Sequence, residues 1–337
     1  MPPIQTIATT VQGLVLHEVV GEDRPAILDA LRHIVGLSPR DHLKFPGPSP
    51  VSIERADLPT LRGKTYLTCE KTDGWRAFMI LCNFNGVNVC CIFDRKLTPY
   101  ICYLQQVPSA LWQGSGFDGE VVWNKRHRTW TFLIFDALRV SGIPVYARAF
   151  GDRVYIAELA WEAYRVSEND VFRVRVKTFV DSNNIGNLPE HVDKMRQEYE
   201  TDGIILTPDE PNVIFGRHRR LFKLKTKHTV DFWVSEDGKG LCVYDPSVHR
   251  HVKVGEVADG LQRAGAIVEC IHKQHQTWTA LQVRTDKNHA NDMLTFNKTV
   301  LNMEEALTLQ DILNIFLNFT NNCHYLYFEC FIEFKSF

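Results

Sequence analysis

Lys71 stands in the run Glu70-Lys71-Thr72-Asp73-Gly74-Trp75-Arg76, where an apolar stretch gives way to an Asp-Gly turn. An amine so placed can attack phosphorus, but only as the neutral base, and an ordinary lysine ammonium has a pKa of ~10.4. The chemistry therefore needs desolvation or neighbouring cations to free the lone pair. A bare Lys-x-Asp-Gly is common and reads equally well as the end of a hairpin. Five companions in a fixed order add weight. Phe117-Asp118-Gly119-Glu120-Val121 puts a carboxylate at a strand entry, suited to a ribose hydroxyl or a metal. Phe132-Leu133-Ile134-Phe135-Asp136 supplies an aromatic ring that could stack on a base, and Thr201-Asp202-Gly203-Ile204-Ile205 a second acidic turn before an apolar strand. Leu221-Phe222-Lys223-Leu224-Lys225-Thr226-Lys227 alternates strictly, so Lys223, Lys225 and Lys227 share one face while Phe222 and Leu224 face a core. Arg284-Thr285-Asp286-Lys287 closes the series.

These groups must be carried by strands. From Thr65 to about Asp136 the chain is β-like: Tyr66–Glu70 leads to the lysine turn, and Arg76–Cys82 leads to Asn85-Gly86, a hairpin signal. Val87–Phe93 is the return strand. Gly119–Trp123 and Trp130–Phe135 follow, joined by the basic turn Asn124-Lys125-Arg126-His127-Arg128. Before them, Pro25–Val35 has helical spacing with proline at the first helical position. Phe45-Pro46-Gly47-Pro48-Ser49-Pro50 is poor helix and poor strand material. Residues 155–200 alternate between helical and strand patterns. Short strands around Asp231–Ser235, Gly240–Tyr244, Ile267–His272 and Thr277–Val283 suit a small barrel, with Trp233 and Trp278 expected in its core. Leu309, Ile312, Leu313, Phe316 and Leu317 define an amphipathic helix, capped by Thr308 and Asp311.

A chain of 337 residues is long for one core and points to two domains. Hydrophobic residues make up 45% and charged residues 23%, a globular balance, and the formal net charge of −2 means that any grip on phosphates must come from local clusters of Lys and Arg. The 9 cysteines form no CxxC pair and no Cys/His zinc spacing, so they read as reduced core thiols. Without a visible signal sequence or an apolar run of ~20 residues, the expectation is a soluble intracellular protein with no membrane contact.

Together the motifs resemble the covalent nucleotidyltransferase superfamily of polynucleotide ligases and GTP-dependent mRNA capping enzymes, over roughly residues 12–317. The capping branch is the closer match. Pro46–Arg55, Glu70–Gly74, and Arg284–Lys287 with Asn291 look like the corresponding segments of large-DNA-virus guanylyltransferases, closest to the single-chain enzymes of algal giant viruses. The resemblance implies an α+β, two-domain protein. Residues 1–228 would form a nucleotidyltransferase domain of ATP-grasp-like antiparallel sheets and helices, with a 305–317 helix packing back on it. Residues 229–304 would form an OB-fold β-barrel domain, and 318–337 match no part of the pattern.

The resemblance also implies roles. Lys71 accepts GMP from GTP with loss of pyrophosphate, then passes it to the 5′-diphosphate end of an RNA. Thr72 and Gly74 line the guanine and ribose site, Arg76 and Arg95 hold ribose and phosphates, Glu120 contacts the ribose, Phe135 stacks on guanine and Lys177 helps to read the base. Asp202 supports the metal or α-phosphate site, Lys223 and Lys225 meet the α-phosphate, and Arg284, Asp286 and Lys287 orient the leaving group. Asp73, Glu120 and Asp202 are candidates for placing Mg²⁺ or Mn²⁺, with Glu120 and Asp202 the expected metal pair. Implied partners are GTP, the RNA end and separate RNA triphosphatase and cap methyltransferase proteins, with the chain itself a monomer. An ATP-dependent RNA or DNA ligase using the same lysine, and a catalytically silent OB-type RNA-binding protein, are the alternatives.

Overall fold

The computed structural model describes residues 4–257, 263–272, 277–285 and 287–317. In chain order the elements are β1 (Thr6–Val11), β2 (Leu14–Val19), α1 (Asp23–Ile34), β3 (Pro48–Ser52), α2 (Leu58–Leu61), β4 (Tyr66–Thr72), β5 (Trp75–Phe84), β6 (Val87–Phe93), β7 (Pro99–Cys102), β8 (Gln113–Asn124), β9 (Thr129–Val140) and β10 (Ile143–Pro144). They continue as α3 (Phe150–Trp161), β11 (Arg173–Val176), β12 (Val180–Asp181), α4 (Leu188–Glu198), β13 (Thr201–Pro208), β14 (Gly216–Lys225), β15 (Thr229–Val234), β16 (Gly240–Asp245), β17 (Arg250–Val257), β18 (Ile267–His272), β19 (Thr277–Val283) and α5 (Met293–Glu305). A further helix covers 309–317. Among the described residues, one unit takes in everything before Ser52, Leu61–Lys223 and Phe316 with Leu317; the other takes in Ser52–Thr60 and Leu224–Ile315.

Two sheets build the first unit. The larger runs β1-β2-β7-β6-β5-β8-β9-β10, with β11 parallel to β9. Its period-two alternation shows on β5: Ala77, Met79 and Leu81 enter a core shared with Ala157 and Trp161 of α3. Phe78, Ile80 and Cys82 enter a second core with Ile27, Leu31 and Ile34 of α1. A strand buried on both faces reads as a continuous apolar run, which is how Ala77–Cys82 reads. Asn85 and Gly86 take φ of 52° and 84°, the doubly left-handed turn that matches strand twist, and the β5–β6 hairpin forms as the sequence predicts.

The smaller sheet runs β12-β4-β13-β14-β3. Here the proline-rich segment departs from expectation, since Pro48–Ser52 forms β3. It is an edge strand, where prolines lacking an N–H are tolerated because only one side of the strand needs donors.

The second unit pairs its strands in the order β15-β16-β17-β19-β18, and β18 pairs back with β15. Val230, Phe232, Val234, Leu241, Val243, Val268 and Trp278 fill it, with Met293 and Phe296 of α5 against them. Trp278 is in this core as expected. Trp233 is not: it falls between Phe232 and Val234, so alternation turns it to the other face, where it stacks on His251 at 5.0 Å. The helix over 309–317 begins with the reciprocal cap read from sequence. Thr308 N–H donates to Asp311 at 2.8 Å, and Asp311 N–H donates to Thr308 Oγ1 at 3.2 Å. Among the described residues no helix is long and apolar enough to cross a membrane.

Candidate active site

Lys71 is the penultimate residue of β4, and its neighbour across the ladder is Gly203 of β13. Thr72 faces Thr201, so the register slips by one and Asp202 is the extra residue. Such a bulge re-aims a side chain. Here Lys71 Nζ donates to Asp202 Oδ1 at 2.6 Å, with both side chains about one-fifth exposed (22% and 17%). The expected second acidic turn is instead this bulge inside β13; it lies beside the Asp73-Gly74 bend, and Asp73 N–H donates to the Glu200 carbonyl at 2.9 Å. The Asp73 side chain is exposed.

Beneath this pair lies a buried polar row. Thr72 Oγ1 donates to Glu120 in a short contact and accepts from Lys177 Nζ at 3.1 Å. Lys177 also donates to the Glu70 carbonyl at 2.8 Å and pairs with Glu70 Oε1 at 3.1 Å. The other Glu70 oxygen meets His191 Nε2 of α4 at 2.9 Å. Burial opposes the Lys177 charge, but Cys69, Glu70 and Glu120 together raise its pKa above the ordinary lysine value. Burial acts to raise the Glu70 carboxyl too, and Lys177 and His191 overcome it, leaving Glu70 below the usual carboxylate range. Glu120, half-buried, is raised by burial in spite of Lys177, Thr72, Lys71 and Arg76.

A second pair flanks the row. Arg76 meets Asp118 through both nitrogens of its fork, at 3.1 and 2.5 Å, and its guanidinium lies between the rings of Phe45 (5.2 Å) and Phe135 (5.4 Å). The Phe135 ring, the expected platform for a base, has the Arg76 guanidinium over it. Burial pushes the Asp118 carboxyl up to about 6 even though Arg76 acts against it. Gly47 is required beside this pair: a Cβ there would come within 2.0 Å of Asp118 Oδ2. Gly74 is required for β8, since a Cβ would lie 2.6 Å from the Val121 carbonyl oxygen. Arg95, in the β6–β7 turn, is exposed and makes no hydrogen bond or ion pair among the described residues; desolvation and the Arg76 charge lower its pKa against the pull of Asp118 and Glu120.

The first unit therefore gathers Lys71, Thr72, Gly74, Arg76, Arg95, Glu120, Phe135, Lys177 and Asp202 around the end of β4. Lys223 is half-buried on β14, the strand next to β13, and Phe222 and Leu224 beside it are buried as the alternation requires. Lys225 is the last residue of β14 and belongs to the second unit, as do Arg284 and Lys287. Asp286 lies outside the described residues. Arg284 Nη1 and Lys287 Nζ both pair with buried Asp231 of β15, the first at 3.0 Å, and Asn291 Oδ1 accepts from the Asp231 N–H at 2.8 Å.

Sequence reasoning passed over Glu70, His191, Asp118 and Asp231. A signal existed for three of them: Glu70, Asp118 and Asp231 each follow a buried apolar residue within a strand, namely Cys69, Phe117 and Val230. His191 gave none, because its contact with Glu70 spans 121 positions.

Residues 9–227 match the family profile described as mRNA capping enzyme, catalytic domain, and residues 220–313 match that of the capping enzyme C-terminal domain. The chain belongs to the mRNA capping enzyme family. Among its relatives, the capping enzyme subunit alpha of Yarrowia lipolytica is 25% identical, over 89% of this chain and 90% of that protein. The subunit alpha of Schizosaccharomyces pombe is 22% identical over 87% and 84%. The capping enzyme of Caenorhabditis elegans is 25% identical over 78% of this chain and 47% of that protein. Among solved structures, mycobacterial DNA ligase D complexed with ATP and MES aligns over 72% of this chain and 96% of that one, with 13% identity and a TM-score of 0.44.

Proposed function

We propose that this capping-family chain is an mRNA guanylyltransferase whose nucleophile is Lys71. The observation that carries the reading is the half-buried amine at the end of β4, held 2.6 Å from the Asp202 carboxylate within the segment that matches the catalytic profile. Lys71 Nζ attacks the α-phosphorus of GTP; the P–N bond forms, the bond to the bridging oxygen breaks and pyrophosphate leaves. Asp202 is the group placed to take the proton from the attacking amine. A terminal β-phosphate oxygen of a 5′-diphosphate RNA then attacks the same phosphorus, the P–N bond breaks, and the lysine recovers its proton as GpppN departs.

Arg95 has its guanidinium available for a phosphate, and Arg76 with Phe45 and Phe135 walls the cleft beside it. Thr72, Gly74 and Lys177 shape the guanine and ribose side, with Glu120 on the ribose. Lys223 and Lys225 on β14 take the α-phosphate, and Arg284, Asp286 and Lys287 of the second unit take the leaving group. Asp202 and Glu120 offer hard oxygen donors, the type that Mg²⁺ or Mn²⁺ takes when it shares its coordination with substrate phosphates. Among the described residues no cluster of three or more His, Cys, Asp or Glu that could hold a metal ion is present. When bound, the ion neutralises charge on the phosphate oxygens.

Under this reading residues 1–228 form the nucleotidyltransferase domain, less Ser52–Thr60, which with the last helix as far as Ile315 fall in the second unit; 229–304 form an OB-fold, supported by the β15–β19 pairing order. Separate triphosphatase and methyltransferase partners, and kinship with the giant-virus branch, complete the proposal. Incubation with α-labelled GTP, followed by denaturing gel electrophoresis, tests it. Label should stay on the parent protein and be absent from Lys71→Ala; label from α-labelled ATP with none from GTP overturns the assignment.

A further inference from the structure

The β8–β9 hairpin ends in Lys125-Arg126-His127-Arg128, four exposed residues held in a tight turn. Asn124 Oδ1 accepts from His127 N–H at 2.8 Å, and Arg128 takes φ of 51°. Lys125 is committed to Glu200 at 3.1 Å. Glu198 is taken by Arg175 at 2.7 Å. Arg126 and Arg128 make no hydrogen bond or ion pair among the described residues, so two guanidinium groups stand in water at the tip. Directly behind them Trp123 and Trp130 face one another across the ladder, ring centroids 5.3 Å apart and edge to face. Trp123 is 44% exposed. The tip thus presents an indole half in water, backed by a second indole, beside two arginines without partners among the described residues. It combines the two elements that hold single-stranded nucleic acid, a flat ring for a base and cations for the phosphates on either side.

The place of this turn is fixed relative to Lys71 by backbone hydrogen bonds. Lys125 N–H donates to the Glu198 carbonyl at 2.7 Å, and Asp73 N–H donates to the Glu200 carbonyl at 2.9 Å. Two residues of extended chain, about 7 Å, therefore separate the anchor of the basic turn from the anchor of the lysine turn. With a net charge of −2 over the whole chain, a local cation pair at that distance is a directed feature and not part of a basic surface.

We propose that Trp123, Arg126 and Arg128 form an RNA-docking site for the nucleotides just behind the 5′ end, one base stacking on Trp123 and the adjoining phosphates meeting the two arginines. The site rests on the guanylyltransferase reading for the identity of its strand. Its recognition is by stacking and charge, so it accepts any sequence and prefers a single strand to a duplex.

The test measures binding directly, apart from catalysis. A fluorescent single-stranded RNA of about a dozen nucleotides with a 5′-diphosphate, a length within one binding groove, is titrated with the parent, with Arg126→Gln/Arg128→Asn and with Trp123→Thr over a range of salt. Asn is chosen at 128 because it tolerates positive φ. The double variant should bind more weakly and lose about 1.4 from the slope of log affinity against log salt, ~0.7 for each lost phosphate contact. Trp123→Thr should lose roughly tenfold in affinity with the slope unchanged, and Trp123→Phe should recover most of it. Circular dichroism confirms that each variant is folded. Folded variants that bind with parental affinity and salt slope overturn the proposal. Failure of the parent to form lysyl-GMP would sink the guanylyltransferase reading instead, and it would leave this binding result standing.

Discussion

Replacing Lys177 by methionine should destabilise the first unit severely, and the structure sets the size. The ammonium is 4% exposed and has three oxygen acceptors: Glu70 Oε1 at 3.1 Å, the Glu70 carbonyl at 2.8 Å and Thr72 Oγ1 at 3.1 Å. Methionine keeps the volume and removes the charge, so Glu70, itself 2% exposed, is left as a buried carboxylate with only His191 beside it. Breaking a buried pair from one side costs about 3–5 kcal/mol. The Glu70 pairing stabilises above about pH 4.5, its unfolded value, and is lost as pH falls through its lowered folded value. The Lys177 pairing stabilises below about pH 10.5 and is lost only as pH rises through its raised value. Both contributions are therefore fully present at neutral pH, where the experiment belongs. Urea unfolding followed by tryptophan fluorescence reports mainly on the first unit, which contains Trp75, Trp112, Trp123, Trp130 and Trp161. Lys177→Met should move that transition down by roughly 1–2 M urea, taking a slope near the upper end of the usual range. The double variant Glu70→Gln/Lys177→Met should recover a large part of the loss, because no charge is then stranded. A single variant within 1 kcal/mol of the parent, or a double-mutant coupling below about 0.5 kcal/mol, refutes the account of the buried row.

Three further outcomes follow from the same geometry. Gly74→Ala forces a methyl against the Val121 carbonyl and Val122, so stability should fall by about 1–3 kcal/mol and labelling by α-labelled GTP should drop with it; a variant with parental midpoint and labelling contradicts the contact. Asp118 carries a folded pKa of about 6 against an ordinary 3.8, so its contribution is present below pH 3.8 and lost as pH rises through about 6; unfolding midpoints measured across that window should show a downward slope that Asp118→Asn removes. Asp231→Asn withdraws the carboxylate shared by Arg284 and Lys287 and should cost about 2 kcal/mol in the thermal unfolding of the second unit, discounted because Lys287 is 37% exposed; an unchanged midpoint counts against that cluster.

Local signals gave most of the strands and the members of the site, and failed where a partner is remote. The Asn85-Gly86 hairpin, the alternation at Phe222–Lys225 and the Thr308–Asp311 cap are each written within a few residues, and each forms as read. The slip at Asp202 is different. Asp-Gly marks a turn, but only the ladder between β4 and β13 determines that the acid is surplus to the register and aims at Lys71. Helix α3 was obscured because Tyr155 and Leu159, apolar yet more than half exposed, blur the period set by Phe150, Val154, Ala157 and Trp161. The strand at Pro48–Ser52 was hidden by prolines that an interior strand would reject and an edge accepts. Trp233 and Trp278 look alike in composition; alternation against Phe232 and Val234 separates them.

The buried row explains how one lysine near the surface can be singled out for chemistry in a chain with 38 Lys and Arg. His191, Glu70, Lys177, Thr72 and Glu120 hand hydrogen bonds from one to the next, so the polar groups inside have partners before any ligand arrives. A row satisfied in this way fixes β4 as a rigid floor, because moving any member strands its neighbour in a medium of low dielectric. Lys71 sits one residue beyond Glu70 on that strand, and alternation turns it to the opposite face, toward Asp202. The sheet thus separates two lysine–carboxylate pairs by burial. Lys177 with Glu70 is 4% and 2% exposed and holds the structure together; Lys71 with Asp202 is 22% and 17% exposed and open to exchange of its partner. An incoming phosphate can compete for the second pair and not for the first, which is the distinction that the nucleophilic role proposed for Lys71 requires.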